Sequence, residues 1–520
     1  MSTDPQTRGR AERWLSALVL ALTLLLGVRV LHRDARAAGD LRVTPDEVEY
    51  ALCAQRLATL GRYDLELDGV STPPHSTPWF SALLAPAYWI DSEEVGAGVW
   101  IVLAISLGGL VLLLRIGERV SGPLGAAAAV IALLSTPLFP YVSRLIMTDA
   151  PAMVLALAAA LVFLRQRESE PSALGALGAG ALIAVSFALR SVYLSLLAPF
   201  AWLILVRPGR RILRAACLLA PLVAVLAANA LYNHSTFGDW QRTGYQFWCA
   251  VPYDYPDLLL STDNIAMNLG DLTTQWGPPA LWLGAVGVLA CLWRVRARAT
   301  PFIVFAAVTA LPISALHCVY FYADLRFHLW LLGAAAAIGG IGLAALVPER
   351  WRARRELAAL ALSIAIFAVP DPVEIPAQRR RTSDQLKQVT PVDALIISGL
   401  EPVYLAALER AGSKREFLAA SRDVEFASKV LSRVRVPREV ARPTGPFDHR
   451  AAGLLASGSV EAYARTADEI PDEIARQVRG GRAVFLERSF IFNPQVEQRI
   501  LGAALRLESP SAPISRLVAR

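Results

Sequence analysis

The chain has 520 residues, 55% hydrophobic and only 18% charged, with a formal net charge of +7. That balance excludes an ordinary soluble enzyme of this length. The basic residues are almost all arginine, with Lys387, Lys414 and Lys429 the only lysines. They sit in short clusters between apolar runs, not in one stripe, which argues against a nucleic-acid partner.

In chain order, a polar start carrying Arg8, Arg10 and Arg13 precedes the first apolar run, 14-WLSALVLALTLLLGVRVL-31. The run is long for a signal-peptide core and 37-AAGD-40 is a poor cleavage site, so a retained helix is expected. A membrane helix needs about 17–25 mostly apolar residues. Further apolar cores lie at 95–114, 123–140, 149–164, 172–189, 191–206, 215–231, 278–293, 301–316, 329–347 and 357–370, making eleven expected spans. The run 78-PWFSALLAPAYWI-90 is too short to span and suits an interfacial helix, with Trp79, Tyr88 and Trp89 at headgroup level. Apolar runs stop near 370, so the expected organisation is a membrane domain at 1–370, with a first outside loop at 32–94, followed by a soluble domain at 371–520.

Orientation follows from the arginines. With a cytoplasmic N-terminus, the inside loops are 115-RIGERVSG-122, 165-RQRESEP-171, 207-RPGRRILR-214, 294-RVRARAT-300 and 349-ERWRARRE-356, each holding at least two Arg. The outside loops, notably 32–77 and 232–277, are longer and more acidic. This places 371–520 outside, in a bacterial periplasm or its equivalent. Cys53 and Cys249 both fall in outside loops, where a disulfide between them is one option, and no cysteine spacing suits a metal.

Polar motifs gather at the outer ends of the spans: 43-VTPDEVEY-50, 72-TPPHSTPWF-80, 141-YVSRLIMTDAP-151, 232-YNHSTFGDWQRTGYQFW-248 and 320-YFYADLRFHLW-330. Polar residues at several span ends on one side suggest a shared cavity there. Each has a plainer reading. Asp46 after Pro45 and Asp149 at a helix start both suit helix capping. Arg144 could pair with Asp149 or reach headgroups; Arg326 could pair with Asp324. On a helix over 46–60, Asp46, Glu49 and Tyr50 share a face while Glu47 points elsewhere.

The order of these motifs resembles the GT-C glycosyltransferases, and within them the branch of protein O-mannosyltransferases and lipid A aminoarabinose transferases. The residues that carry the resemblance are Asp46-Glu47 opening the first outside loop, Pro73-Pro74 before the interfacial helix, Arg144 and Asp149-Ala150-Pro151 at the fourth span, Tyr232-Asn233 with Phe237-Gly238, and the distal Tyr322/Arg326 segment. It covers roughly 1–350. It implies an α-helical polytopic fold and transfer of a sugar from a polyprenyl-phosphate carrier to an acceptor protein, lipid or glycan at the outer face, with inversion. It implies Asp46 as base or acceptor-positioning group beside Glu47, and Asp149 as the second acidic position. The chemistry asks independently for a base near the acceptor hydroxyl and for cations on the leaving phosphate. Arg144, Arg190, Arg326 and His75 are the candidates for the phosphate, and Tyr50, His234, Tyr245, Tyr322 and His328 for the substrate cavity. Some relatives use a divalent cation (Mg or Mn) and others none. The chain departs from the family pattern in following Pro-Pro with His75-Ser76-Thr77 where an apolar residue is more usual.

The tail reads as α/β: strands at 393–399, 414–421 and 482–489, and helices at 401–412 and within 468–481. No Gly-x-Gly-x-x-Gly supports a dinucleotide site. A transporter or lipid flippase is the alternative function. It expects broken helices and buried charges at mid-membrane, whereas here the charges cluster at span ends. A non-catalytic membrane scaffold carrying the tail is a third reading.

Overall fold

The computed structural model describes residues 5–38, 44–67, 70–169, 172–248, 250–273, 277–348, 378–399, 415–419, 434, 469–489, 494–502 and 504–520. The chain forms two compact units. One comprises Met1–Gly39, Val99–Asn229 and Ile265–Glu374; the other comprises Asp40–Gly98, Ala230–Asn264 and Ile375–Arg520.

The first unit is helical. In chain order come α1 (Pro5–Ala38), α4 (Gly98–Ser135), α5 (Leu138–Ser143), α6 (Asp149–Glu168), α7 (Ala173–Leu189), α8 (Leu197–Val206), α9 (Arg211–Phe237), α13 (Ile265–Leu272), α14 (Gly277–Arg294), α15 (Arg296–Val319) and α16 (Leu329–Leu346). In hydrocarbon every backbone N–H and C=O must be satisfied within the segment, which is why the apolar runs become helices. Among the described residues five helices are long and apolar enough to cross a membrane, or six if Thr262–Leu272 and Gly277–Arg294, bent by 81°, count as one span. Shorter apolar helices cover Ala17–His32, Ala173–Leu189 and Ser191–Val206. The chain is a multi-pass membrane protein. The expected eleven spans are thus not all met by length and composition, and the expected span 357–370 lies outside the described residues.

The expected inside loop 115–122 is helical up to Gly122, where φ is 79° and the helix breaks before Pro123. The two arms then lie so close that a Cβ on Gly117 would sit 2.6 Å from the Ala126 Cα. The loop is therefore a kink, and the cores at 95–114 and 123–140 survive as its two arms. Helix α6 is buried nearly all round, lined by Ala150, Ala152, Ala156, Ala159 and Ala160, and packs on α7, α15 and α16. Its small side chains let those neighbours approach closely. Backbone contact is tighter still between α14 and α16. A Cβ on Gly287 would lie 2.4 Å from the Gly339 Cα and 2.5 Å from the Ile338 carbonyl oxygen, and one on Gly342 would lie 2.4 Å from the Gly287 carbonyl oxygen.

The second unit holds α2 (Pro45–Leu60), the hairpin β1 (Leu65–Leu67) and β2 (Val70–Thr72), α3 (Pro78–Ile90), and the short helices α10 (Gly244–Trp248), α11 (Ala250–Tyr253) and α12 (Pro256–Leu259). Helix α3 covers the span expected for the interfacial helix, with one difference. Tyr88 shares the face of Phe80 and Leu84, is buried with them, and donates its hydroxyl to the Val95 carbonyl at 2.8 Å. Trp89 and Ile90 remain exposed.

The tail carries a five-stranded sheet in the order β4 (Glu416–Ala419), β3 (Leu395–Ser398), β5 (Val484–Glu487), β7 (Ile514–Ala519), β6 (Leu505–Leu507). The first three strands are parallel and the last two antiparallel. Helices Glu469–Arg479 and Pro494–Leu501 contribute Ile474 and Ile500 to its core of Leu395, Ile397, Val484, Leu486 and Leu517. The strands expected in three places are present; β6 and β7 went unread, and the expected helix 401–412 lies outside the described residues.

Replacing Gly287 by Leu forces α14 away from α16. The expected result is a loss of about 1–3 kcal/mol of stability, read as a lower melting temperature of the purified protein in detergent. Replacing the loosely surrounded Gly178 by Ala, where an added Cβ meets nothing within 4 Å, is expected to leave it unchanged.

Candidate active site

In the helical unit the site is built where helices end. Helix α7 stops at Leu189, and Arg190 turns to extended backbone before a 3-10 turn at Ser191–Leu196. That break swings the Arg190 guanidinium onto Asp149, the first residue of α6, with Nη1 on Oδ1. Asp149 is buried, and its Oδ2 accepts no hydrogen bond among the described residues. The partner of Asp149 is therefore Arg190, not Arg144, and the residue preceding the helix, Thr148, occupies the cap position. Arg144 is also buried, its guanidinium carbon 5.2 Å from the centre of the Tyr141 ring, so it does not reach out to headgroups.

A second cation stands close by. Asp324 caps the turn Leu325–His328 by accepting from the Arg326 N–H at 3.0 Å, and its Oδ2 lies 2.8 Å from Arg326 Nε. The expected Asp324–Arg326 pair is thus present. Burial pushes the Asp324 carboxyl above its ordinary range against the pull of Arg326, and Asp149 and Asp271 add to the rise. Phe327 is shared: Arg190 lies 5.0 Å and Arg326 5.4 Å from its ring centre, within cation–π reach. His317 stacks on the same ring at 4.7 Å. His328 is buried with its ring 6.2 Å from His317, and Tyr322 is partly exposed beside Phe327. Each arginine thus already has a carboxylate, yet a guanidinium carries five donors in a fixed fork. Such a pair can still grip a phosphate.

In the second unit, Pro45 is the first helical residue of α2 and Thr44, not Asp46, is its cap. Asp46 sits half-buried in the first turn. Buried Glu47 turns back so that its Oε2 accepts from the Thr44 N–H at 3.1 Å, closing the helix start. Glu49, one turn on and buried, takes four hydrogen bonds. Its Oε1 accepts from the backbone N–H groups of His75 (3.0 Å) and Ser76 (3.2 Å) and from the Ser76 hydroxyl (3.0 Å); its Oε2 meets His75 Nδ1 at 2.5 Å. Burial works to raise this carboxyl, but His75 and the hydrogen bonds from it and from Ser76 win, so it stays below its ordinary value of 4.5. Tyr63 donates to the Ser76 carbonyl at 2.9 Å, and burial, with Cys53 and Glu49 nearby, holds its phenol well above the usual range. Tyr245 lies 5.7 Å from the His75 ring and 5.0 Å from Tyr253. Tyr50 meets Phe80 edge-on at 4.8 Å, and exposed His234 stacks on Trp240 at 4.2 Å. Cys53 is a buried free thiol; Cys249 lies outside the described residues. Among the described residues no three His, Cys, Asp or Glu side chains gather as a metal ion needs.

The profile of the family described as dolichyl-phosphate-mannose-protein mannosyltransferase matches residues 74–232, a stretch holding His75, Arg144, Asp149 and Arg190. No curated protein sequence matches the chain. Solved structures do. ArnT, an aminoarabinose transferase from Cupriavidus metallidurans, in its apo state is 14% identical with a TM-score of 0.50, the match covering 98% of each chain. The same protein bound to undecaprenyl phosphate is 13% identical with a TM-score of 0.51, covering 97% of each chain. The apo oligosaccharyltransferase of Archaeoglobus fulgidus is 14% identical with a TM-score of 0.52, covering 77% of this chain and 64% of the other.

The fold is that of the GT-C glycosyltransferases. At these identities the likeness is one of fold, and the residues must carry the chemistry. Each unit gathers part of the expected set. The helical unit unites Asp149, Arg190, Arg326 and His328 with Tyr322. The other brings His75 to Tyr245 and to Glu49 of α2, the helix that opens with Asp46 and Glu47 and carries Tyr50; His234, exposed on Trp240, stands as a separate surface pair. Sequence reading overlooked Glu49 as the clamp on His75, and Phe327 as the ring shared by two arginines. The first had a signal: Glu49 on the inner face of α2 and the polar His75-Ser76 in place of an apolar residue are two departures that answer each other.

Two outcomes follow from the ion pairs. Arg190→Ala leaves Asp149 buried and unpaired, so stability is expected to fall by about 3–5 kcal/mol, with part regained in Asp149→Ala/Arg190→Ala, as read by unfolding in detergent. Glu49→Gln is expected to cost about 2 kcal/mol at neutral pH. Because the folded carboxyl titrates below 4.5, its contribution is full above that pH and fades as pH falls through the folded value. The gap between wild type and Glu49→Gln should therefore close on acidification, and a gap that stays constant to pH 3 would count against an ionised Glu49.

Proposed function

We propose that this chain is a membrane glycosyltransferase that moves a sugar from a polyprenyl-phosphate carrier to an acceptor, with inversion at the anomeric carbon, on the outer face of a bacterial inner membrane. The observation that carries the reading is the buried Asp149–Arg190 pair beside Asp324–Arg326, two guanidiniums sharing one aromatic ring at the ends of membrane helices. A fixed positive pair at the membrane edge suits a phosphate attached to a lipid tail. The GT-C fold and the mannosyltransferase profile support the same donor class, as does the undecaprenyl phosphate bound to the ArnT of Cupriavidus metallidurans. The arginine-rich loops support a cytoplasmic N-terminus with the tail outside.

The reaction breaks the bond from the anomeric carbon to the carrier phosphate oxygen and forms one to the acceptor oxygen. The phosphate leaves as an anion and needs charge, not a proton, which Arg190 and Arg326 supply, with buried Arg144 adding to the local positive field. The acceptor hydroxyl loses its proton to Asp46, half-buried in the first turn of α2. The free Oδ2 of Asp149 accepts from a sugar hydroxyl, fixing the donor. Glu47 holds the start of α2 and thereby the backbone beneath Asp46. Tyr322, exposed beside Phe327, is the ring of the helical unit best placed to meet a substrate. The acceptor is a protein, lipid or envelope glycan carrying a hydroxyl or phosphate.

The test is release of carrier phosphate from a panel of polyprenyl-phosphate sugars by purified protein. Asp46→Asn is expected to lower release by at least about a hundredfold, the scale of one general base, with carrier binding retained. Arg326→Ala is expected to weaken carrier binding by about tenfold or more. Full release by Asp46→Asn would remove Asp46 from the chemistry, and an inert wild type across the panel and acceptor classes would remove the transferase reading.

A further inference from the structure

The groups assigned to the transfer leave His317 unused, although it stands against the ring that both arginines share. It lies in the last turn of α15 and is only 6% exposed. Its backbone is pinned. The His317 carbonyl accepts from the Tyr320 N–H at 3.3 Å, and the Asn268 side chain of α13 donates to the carbonyls of Cys318 at 3.0 Å and Tyr320 at 2.7 Å. The ring is pinned as well. It stacks on Phe327 at 4.7 Å with the planes 25° apart, and it meets Tyr320 edge-on at 6.1 Å. Nδ1 lies 2.8 Å from the Ile313 carbonyl, one turn back. A carbonyl can only accept, so the proton sits on Nδ1, and the neutral ring offers a lone pair at Nε2. Nε2 makes no hydrogen bond among the described residues and is not one of the buried atoms lacking a partner, so part of the small exposed area belongs to it.

The charged groups nearby are rich in donors and poor in acceptors. Arg190 and Arg326 bring only N–H groups. Asp324 turns both oxygens to Arg326, and Asp149 gives Oδ1 to Arg190. A sugar hydroxyl donates as well as accepts, so a site that reads a sugar needs acceptors aimed at it. Two stand open among these groups and His317: Asp149 Oδ2 and His317 Nε2.

We propose that His317 is a specificity-determining residue of the donor site: Nε2 accepts a hydrogen bond from one hydroxyl of the sugar on the lipid carrier. No proton is transferred in this contact. The inference rests on the transferase reading and adds to it a residue that reads the sugar. A ring held by its own helix and by Phe327 has little freedom left to lose on binding, so it separates sugars that present a hydroxyl at that point from sugars that do not.

The experiment measures Kd on the full-length protein in nanodiscs. The probes are undecaprenyl phosphate, undecaprenyl phosphates bearing mannose, glucose, galactose or aminoarabinose, and the monodeoxy analogues of whichever of these binds best. His317→Asn keeps a donor near the place of Nδ1 and removes Nε2; His317→Gln sets an amide oxygen near the place of Nε2. His317→Asn is expected to weaken the best glycosylated carrier by roughly tenfold, the scale of one buried hydrogen bond, and to leave undecaprenyl phosphate unchanged. One monodeoxy analogue should bind wild type and His317→Asn alike, because it lacks the hydroxyl that Nε2 receives. His317→Gln should recover part of the loss. Comparing probes on one variant cancels any shortfall in folded protein. An unchanged Kd in His317→Asn, an equal loss for undecaprenyl phosphate, or an equal loss across all the deoxy analogues would each overturn the proposal while leaving the transferase reading standing. If wild type binds neither the bare nor any glycosylated carrier, the transferase reading falls and this proposal with it.

Discussion

A charge placed in a low-dielectric region must have a partner or not be there. That constraint orders this chain. The apolar helices carry their charged groups at the ends, and in the helical unit two arginines there are matched with acids: Arg190 with Asp149, Arg326 with Asp324. The pairs cost desolvation, and by stability alone apolar residues would serve as well or better. What they add is a set of guanidinium groups held at one place with fixed orientation. The helix ends themselves follow from local chemistry. An extended Arg190 stops α7, Asp324 caps the turn into α16, and Thr44 with Glu47 starts α2.

Much of this was legible in the sequence because membrane helices announce themselves by length and composition. Cores at 149–164, 278–293 and 301–316 each fall inside an observed helix, those at 172–189 and 329–347 match one to within a residue, and the short 78–90 segment is a helix throughout. What was not legible has physical causes. A run of charged residues at 115–121 reads as a loop, yet Arg115 can pair with Glu118 three residues on, and the helix continues until Gly122 allows a sharp break. Tyr88 looks like an interfacial residue by type, but its helix position puts it on the face of Phe80 and Leu84. Short strands β6 and β7 have too few residues for alternation to stand out.

The candidate site was half legible. Residue types and order pointed to Asp149, Arg190, Arg326 and His75, whereas the pairings among them did not follow from spacing. Arg144 is five residues from Asp149 and Arg190 is forty-one away, yet Arg190 is the partner. Proximity in sequence is a poor guide where two helices end at the same level. Glu49 shows the converse. It was placed on the right face of α2, but only the fold reveals that the face opposes the turn at His75.

The glycines of α14 and α16 have a mechanical consequence. Where backbones touch, no side chains intervene to slide or repack, so the two helices behave as one strut. The outer face of α14 exposes Trp282, Val286, Leu289 and Trp293, and α16 follows directly from the turn that carries Arg326. A change in the thickness or tension of the surrounding bilayer that tilts α14 must tilt α16 as well, so the lipid has a lever on the position of Arg326.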